Sequence, residues 1–162
     1  MAYELPSPQE IGAASWRHDW HPYDDYQVVH ATYMTNLMHE GLVDEDRLSF
    51  REYREGRRLV QVNVEGRVRC KHGVIIEVDK WLDVRRTRRG YEVMGSSYSY
   101  QAWFEGDGRE ILRYDSAHGM AGLHYHLFDS DGRERIVTIS LAQLPTLDGF
   151  IRQALWIAAN SM

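Results

Sequence analysis

The chain has 162 residues, a length typical of one domain that can bury its own core without disulfides or metal. Hydrophobic residues make up 43% and charged residues 27%, a composition that excludes a fully disordered chain. The single cysteine, Cys70, excludes an intramolecular disulfide, and no apolar run reaches the roughly 18–20 residues of a membrane span. With no secretory signal in its first residues, the sequence favours a cytoplasmic protein without membrane contact.

Charge is unevenly distributed along the chain. Residues 1–46 and 90–162 are acidic, whereas residues 47–89 carry thirteen Arg or Lys and six acidic residues, a net charge of +7. This middle segment is the part of the chain that can attract a polyanion such as RNA. In the alternative interpretation, its charges lie on the outer faces of strands and pair with the acidic parts of the chain.

The first third of the chain shows an irregular arm and one helix. Residues 1–23 contain three prolines and no periodicity, which indicates an arm. Apolar spacing then predicts a helix over Asp25–Glu40 that ends at Gly41. The charged residues 42–58 are interpreted as a connector, so that residues 24–58 form a helix followed by a connecting segment.

From residue 59 the hydrophobic period changes to two, which is typical of half-buried strands. Turn residues at 105–108 and 129–132 help to divide residues 59–139 into six predicted strands, at 59–70, 74–84, 91–104, 109–115, 122–128 and 135–139. Residues 146–160 show a helical apolar stripe, with Thr146 as the predicted N-cap. The pattern predicts a single α+β domain over residues 1–162, an antiparallel meander with both helices on one face.

The densest set of reactive side chains lies in the fourth and fifth predicted strands. Alternation places Arg113 and Asp115 on one face of the fourth strand, and His124 and His126 on one face of the fifth. If the apolar residues between them face the core, all four side chains converge on one polar face. His118, in the intervening loop, is free to approach that face.

Two chemistries fit this set of residues. In metal-free phosphodiester cleavage, histidines act as general base and acid, Arg113 stabilises transition-state charge, and Asp115 orients a histidine. This chemistry needs no cofactor. In a metal site, His124 and His126 chelate one ion, with Asp115 or His118 as third ligand. A solvated strand face without chemistry is the remaining interpretation.

A second candidate site is a strongly basic predicted turn. Arg85, Arg86, Arg88 and Arg89 lie within six consecutive residues. Such a cluster can bind the phosphate groups of a nucleic acid. A charged turn that is simply solvated is the other interpretation.

The segment ILRYDSAHGMAGLHYH, followed by a turn, a strand and an amphipathic helix, resembles the TumE-like toxin family of prokaryotic toxin–antitoxin modules. The resemblance covers roughly residues 59–152 and is carried by Arg113-Tyr114-Asp115, Gly119, Gly122 and His124-x-His126. It implies a small antiparallel α+β domain that inhibits growth beside an antitoxin protein. It also implies a role for Arg113, Asp115, His124 and His126, which leads to the hypothesis of a toxin-type ribonuclease acting on RNA.

Two other hypotheses about partners stay open at this point. A non-catalytic module would bind a partner protein through residues 1–41. The exposed edge of a meander can also pair with a second copy of the chain, which would give a homodimer.

Overall fold

A computed structural model describes residues 4–13, 17–116 and 122–161 of the chain. Within these ranges two helices, α1 (Tyr23–His39) and α2 (Leu147–Asn160), accompany one antiparallel sheet. The strands are β1 (His21–Pro22), β2 (Val43–Asp46), β3 (Ser49–Glu55), β4 (Arg58–Cys70), β5 (Val74–Thr87), β6 (Gly90–Phe104), β7 (Glu110–Ser116), β8 (Leu123–Phe128) and β9 (Glu134–Thr138). The predicted α+β class, the antiparallel sheet and both helices are confirmed.

The strands β4 to β9 pair in chain order, as expected for a meander built from hairpins. β2 and β3 both pair with the outer edge of β4, one after the other. The short β1 pairs with β6 at residues that β7 does not reach. The long β5–β6 hairpin runs from its first pair, Val74 with Phe104, to its last, Thr87 with Gly90, with one shift of register between Trp81 and Leu82. It forms the centre of the sheet.

Residues 42–58 form two strands where the sequence suggests a connector. β3 is exposed at nearly every position because it lies at the edge of the sheet, so it lacks the apolar alternation that marks a half-buried strand. The connection between β2 and β3 lies against β4 at Gly66, whose φ is 137°. A Cβ there would lie 2.3 Å from the carbonyl oxygen of Arg47, so glycine permits this close approach.

The two helices cover one face of the sheet and end as their sequences suggest. The hydroxyl of Thr146 accepts a hydrogen bond from the N–H of Gly149, which confirms the predicted N-cap of α2. After α1, Gly41 adopts a left-handed conformation, and the N–H of Leu42 donates to the carbonyl of Leu37. Neither described helix is long and apolar enough to cross a membrane.

The core lies between the helices and the sheet. Phe150 of α2 is fully buried, with its ring centroid 5.4 Å from that of Tyr100 and 5.8 Å from that of Tyr114. The N-terminal arm is tied to this core, since Gln153 donates to the carbonyl of Pro6 and accepts from the Tyr114 hydroxyl. These contacts give Tyr114 a packing role in the core.

A lysine lies on the same buried face. Lys80 is 8% exposed, and its Nζ lies 5.1 Å and 4.8 Å from the ring centroids of Tyr26 and Tyr98. Among the described residues, no carboxylate forms an ion pair with Nζ. Burial lowers the pKa of Lys80 from 10.5 to about 7, because the ammonium loses its hydration.

Candidate active site on the open face of the sheet

The predicted cluster is assembled by the register of β7 and β8. Arg113 lies opposite His126, and Asp115 lies opposite His124. Directly opposed residues of antiparallel strands project from the same face. Because Tyr114 points towards α2, these four residues project from the other face, called here the open face. Strand alternation predicts this convergence correctly.

His126 is held through both of its ring nitrogens. Its Nε2 lies 3.1 Å from Nη2 of Arg113, and its Nδ1 hydrogen-bonds to Oε1 of Glu134. A guanidinium only donates, so Nε2 must accept and Nδ1 must carry the proton that Glu134 accepts. His126 is therefore neutral in this arrangement, and at 7% exposed it fixes the position of Arg113.

Arg113 is also positioned by Glu110 of its own strand, which is held in turn by Gln101 of β6. Its Nη1 lies 3.9 Å from Oε1 of Glu110, the same oxygen that accepts a hydrogen bond from Gln101 at 2.7 Å. The Nε of Arg113 is buried and has no hydrogen-bond partner among the described residues. The guanidinium is thus a fixed positive charge, and its side chain is 30% exposed on the open face.

His124 has the arrangement expected of a proton acceptor. Its Nδ1 lies 2.6 Å from the carbonyl oxygen of Gly122, which can only accept, so Nδ1 carries the proton. In the neutral ring the lone pair is then on Nε2, for which the described residues provide no hydrogen-bond partner. The ring is half-buried, and its centroid lies 4.8 Å from that of His126.

The orienting role predicted for Asp115 is taken by other groups. Asp115 is half-buried opposite His124, but no described histidine hydrogen-bonds to it. Glu134 orients His126, and the Gly122 carbonyl orients His124. Glu134 was missed because it is a diagonal neighbour of His126. The turn at 129–132 sets that register and could have identified it.

The metal alternative gains no support from the described side chains. His118 lies outside the residues that the structure describes. Within those residues, no group of three or more His, Cys, Asp or Glu side chains comes together in a metal-binding arrangement. Both nitrogens of His126 are engaged, so the His-x-His pair does not present two free ligand atoms. The geometry is better suited to metal-free proton transfer.

A groove of about 510 Å³ lies beside the cluster on the open face. Ser99 and Gln101 form part of its wall, and they are the direct neighbours of Asp115 and Arg113 on β6. A flexible ligand that enters this groove would therefore reach the cluster without any rearrangement of the sheet.

The basic turn lies away from the cluster. The structure narrows the turn to Arg88 and Arg89, because β5 continues to Thr87. Arg86 is seven residues along β5 from Asp79, which shares a cross-strand row with Asp115, so roughly 23 Å separates them at about 3.3 Å per residue. The structure does not bring the two candidate sites together.

Arg85 differs from the other arginines of this turn. Its guanidinium pairs with Glu92 at 2.7 Å and lies 4.4 Å from the ring centroid of Trp20. Other arginines of the basic middle segment are also neutralised by carboxylates, namely Arg47, Arg51, Arg54, Arg67 and Arg69. Arg47 and Arg69 pair with the acidic segments on either side, as the alternative interpretation expects. The other three pair with carboxylates of the basic segment itself.

The fold and the cluster define an α+β protein whose antiparallel sheet carries histidine, arginine and carboxylate side chains together on one face. Comparison with protein-family models, with curated proteins and with solved structures found no match to this chain. The resemblance of residues 59–152 to TumE-like toxins therefore stays a prediction from the sequence.

Proposed function

We propose that this protein is a metal-independent ribonuclease of the toxin type, acting through the open face of its sheet. The observation that carries the proposal is the Nε2 lone pair of His124, oriented by the Gly122 carbonyl. The His124 ring lies 4.8 Å from that of His126, which holds the guanidinium of Arg113. A free base next to an immobilised positive charge is what cleavage of an RNA phosphodiester requires.

His124 acts first in the proposed reaction. Its Nε2 takes the proton of a ribose 2′-hydroxyl, and the 2′ oxygen attacks the adjacent phosphorus. The bond between phosphorus and the 5′ oxygen breaks, leaving a 2′,3′-cyclic phosphate. The 5′ oxygen takes a proton from solvent, which reaches this open face, and His124 then releases its proton.

Arg113 and His126 have different roles in this scheme. Arg113 stabilises the negative charge that builds up on the phosphate oxygens with its fixed guanidinium, whose side chain is 30% exposed on this face. His126 is a positioning residue, because Arg113 and Glu134 occupy both of its nitrogens. Asp115 borders the same face and is assigned to the site by its place opposite His124.

The direct test is cleavage of a labelled RNA by the purified protein in the presence of a chelator. His124→Ala is expected to lower the rate by about 10²–10⁴-fold, the usual contribution of a general base. His39→Ala, at an exposed position of α1, is the matched control and should keep the wild-type rate. Undiminished cleavage by His124→Ala, or none by the wild type, would refute the proposal.

The resemblance to TumE-like toxins supports the same proposal and adds a cellular test. Induced expression of the wild type in a bacterial host is expected to arrest growth, whereas the double variant His124→Ala/His126→Ala is not. Circular dichroism of both proteins checks that the variant is folded. Equal toxicity of the two proteins would assign growth arrest to something other than the open face.

A further inference from the structure

Two hairpin ends lie side by side at one end of the sheet. The β3–β4 hairpin turns at Gly56 and Arg57, and the β5–β6 hairpin turns at Arg88 and Arg89. The backbone N–H of Leu59 donates a hydrogen bond to the hydroxyl of Tyr91 at 3.2 Å, which joins the two ends. Residues far apart in the sequence thus form one continuous surface.

This surface carries several exposed arginines and is strongly basic. Its exposed arginines, called here the arginine tip, are Arg57, Arg58, Arg86, Arg88 and Arg89. None of them forms an ion pair with a carboxylate of the described residues, whereas the arginines on the strand faces nearby are paired. Their positive charge is therefore available to a ligand, although the whole chain has a net charge of −5.

We propose that the arginine tip binds the phosphate backbone of the RNA whose cleavage takes place at the open-face cluster. This inference rests on the proposed ribonuclease function and adds an anchoring site to it. Guanidinium groups match phosphate geometry, and contacts to phosphates position a nucleic acid without reading its sequence. The anchor is separate from the chemistry, since roughly 23 Å of β5 separates Arg86 from the row of Asp115.

RNA fits this surface better than an anionic membrane does. Surfaces that bind membranes usually combine basic residues with aromatic or aliphatic side chains that enter the lipid. The two hairpin ends, residues 56–58 and 86–90, contain only arginine, glycine and threonine. Nothing at the arginine tip could insert into a bilayer, whereas its five guanidinium groups can all reach phosphates.

The separation of the two sites has a consequence for substrate length. An RNA long enough to reach both the arginine tip and His124 gains affinity from the anchor. A dinucleotide reaches only the cluster, so its cleavage does not depend on the tip. The arginine tip should therefore lower KM for long RNA and leave kcat unchanged.

Binding is measured first, in the His124→Ala background so that the probe stays intact. The probe is a fluorescein-labelled single-stranded RNA of about 20 nucleotides, longer than the roughly 4–16 nucleotides that one domain usually covers. The test variant changes the five tip arginines to glutamine. The matched control changes five exposed arginines elsewhere to glutamine, at positions Arg17, Arg51, Arg69, Arg133 and Arg135.

The salt dependence of binding gives the quantitative readout. Five neutralised phosphates of a single strand predict a slope of log affinity against log salt of about −3.5, or roughly a hundredfold loss between about 50 and 200 mM salt. The tip variant should lose most of this slope, and the control variant should keep it. Equal slopes for the two variants would overturn the proposal, as would binding to phosphatidylserine vesicles without binding to RNA.

Cleavage assays separate this inference from the proposed function. With His124 present, the tip variant should show a higher KM for long RNA and an unchanged rate on the dinucleotide uridylyl-adenosine. If the tip binds RNA but the wild type cleaves none, the ribonuclease proposal fails and the anchor stands. If cleavage of long RNA is the same in the wild type and the tip variant, the anchor fails alone.

Discussion

Replacing Lys80 with methionine should stabilise the fold, and the gain should disappear at high pH. The ammonium group is buried at 8% exposure between the rings of Tyr26 and Tyr98, and no described carboxylate pairs with it. Methionine has a similar length and no charge, so it fills the same space without the cost of removing an ammonium from water.

The size of the effect follows from the pKa of Lys80, which burial lowers from 10.5 to about 7. This difference corresponds to about 5 kcal/mol against the charged form, at about 1.4 kcal/mol per pH unit. Attraction to the two tyrosine rings returns about 1 kcal/mol each in such an environment. The expected net gain for Lys80→Met is therefore about 3 kcal/mol where the lysine is charged.

The pH dependence has a definite sign. Below about pH 7 lysine is charged in both states, and only the folded state loses hydration, so the full penalty applies. Between about pH 7 and 10.5 the unfolded state binds more protons, so the penalty shrinks as pH rises. Above the unfolded pKa both states are neutral and no penalty remains. The stabilising effect of Lys80→Met should follow this course.

Urea unfolding of the wild type and Lys80→Met at pH 7 and pH 10 measures the effect. Burial lowers the pKa of His18 and of His30, so both nearby histidines are neutral over this range. Lys71→Met is the control, because Lys71 is the other lysine of the chain and is exposed. A Lys80→Met effect that is the same at both pH values, or a loss of stability at pH 7, would refute the reasoning.

Three further substitutions test the packing and the backbone. Phe150→Ala should lower the free energy of unfolding by about 3–5 kcal/mol in urea titrations, because a fully buried ring leaves a cavity. Thr146→Ala should cost about 1 kcal/mol by the same measurement, since the N–H of Gly149 loses its cap, and Thr146→Ser should cost less. Gly66→Ala should lower the melting temperature by several degrees, since its φ of 137° and the carbonyl of Arg47 leave no room for a Cβ; an unchanged melting temperature would contradict this contact.

The central strands could be predicted because one of their faces is buried. Residues such as Val62, Val64 and Val68 alternate with polar residues, and all three are buried in the core. β3 could not be predicted in this way, because both of its faces are exposed and its sequence shows no apolar period. Val60 also departs from the alternation. It is the extra residue of a bulge against β3, so Leu59 is buried in its place.

In the candidate site, too, alternation predicted some features and missed others. Alternation was sufficient to place Arg113 and Asp115 on one face with the two histidines. It could not identify Glu134 or Glu110, because their contacts depend on the exact register between neighbouring strands and on side-chain direction. Alternation alone therefore predicts which residues share a polar face, whereas their individual roles depend on register, which for Glu134 is set by the turn at 129–132.

The contacts between the N-terminal arm and the C-terminal region have a consequence for the order of folding. β4 to β9 pair with their sequence neighbours, so most of the sheet can form by local closure of hairpins. The contacts that join the N-terminal arm to the C-terminal region span most of the chain, as in Gln153 with Pro6 and His18 with Leu144. Closing such long loops is costly in entropy, so we expect these contacts to form after the rate-limiting step. Weakening them should then speed unfolding and leave the folding rate nearly unchanged.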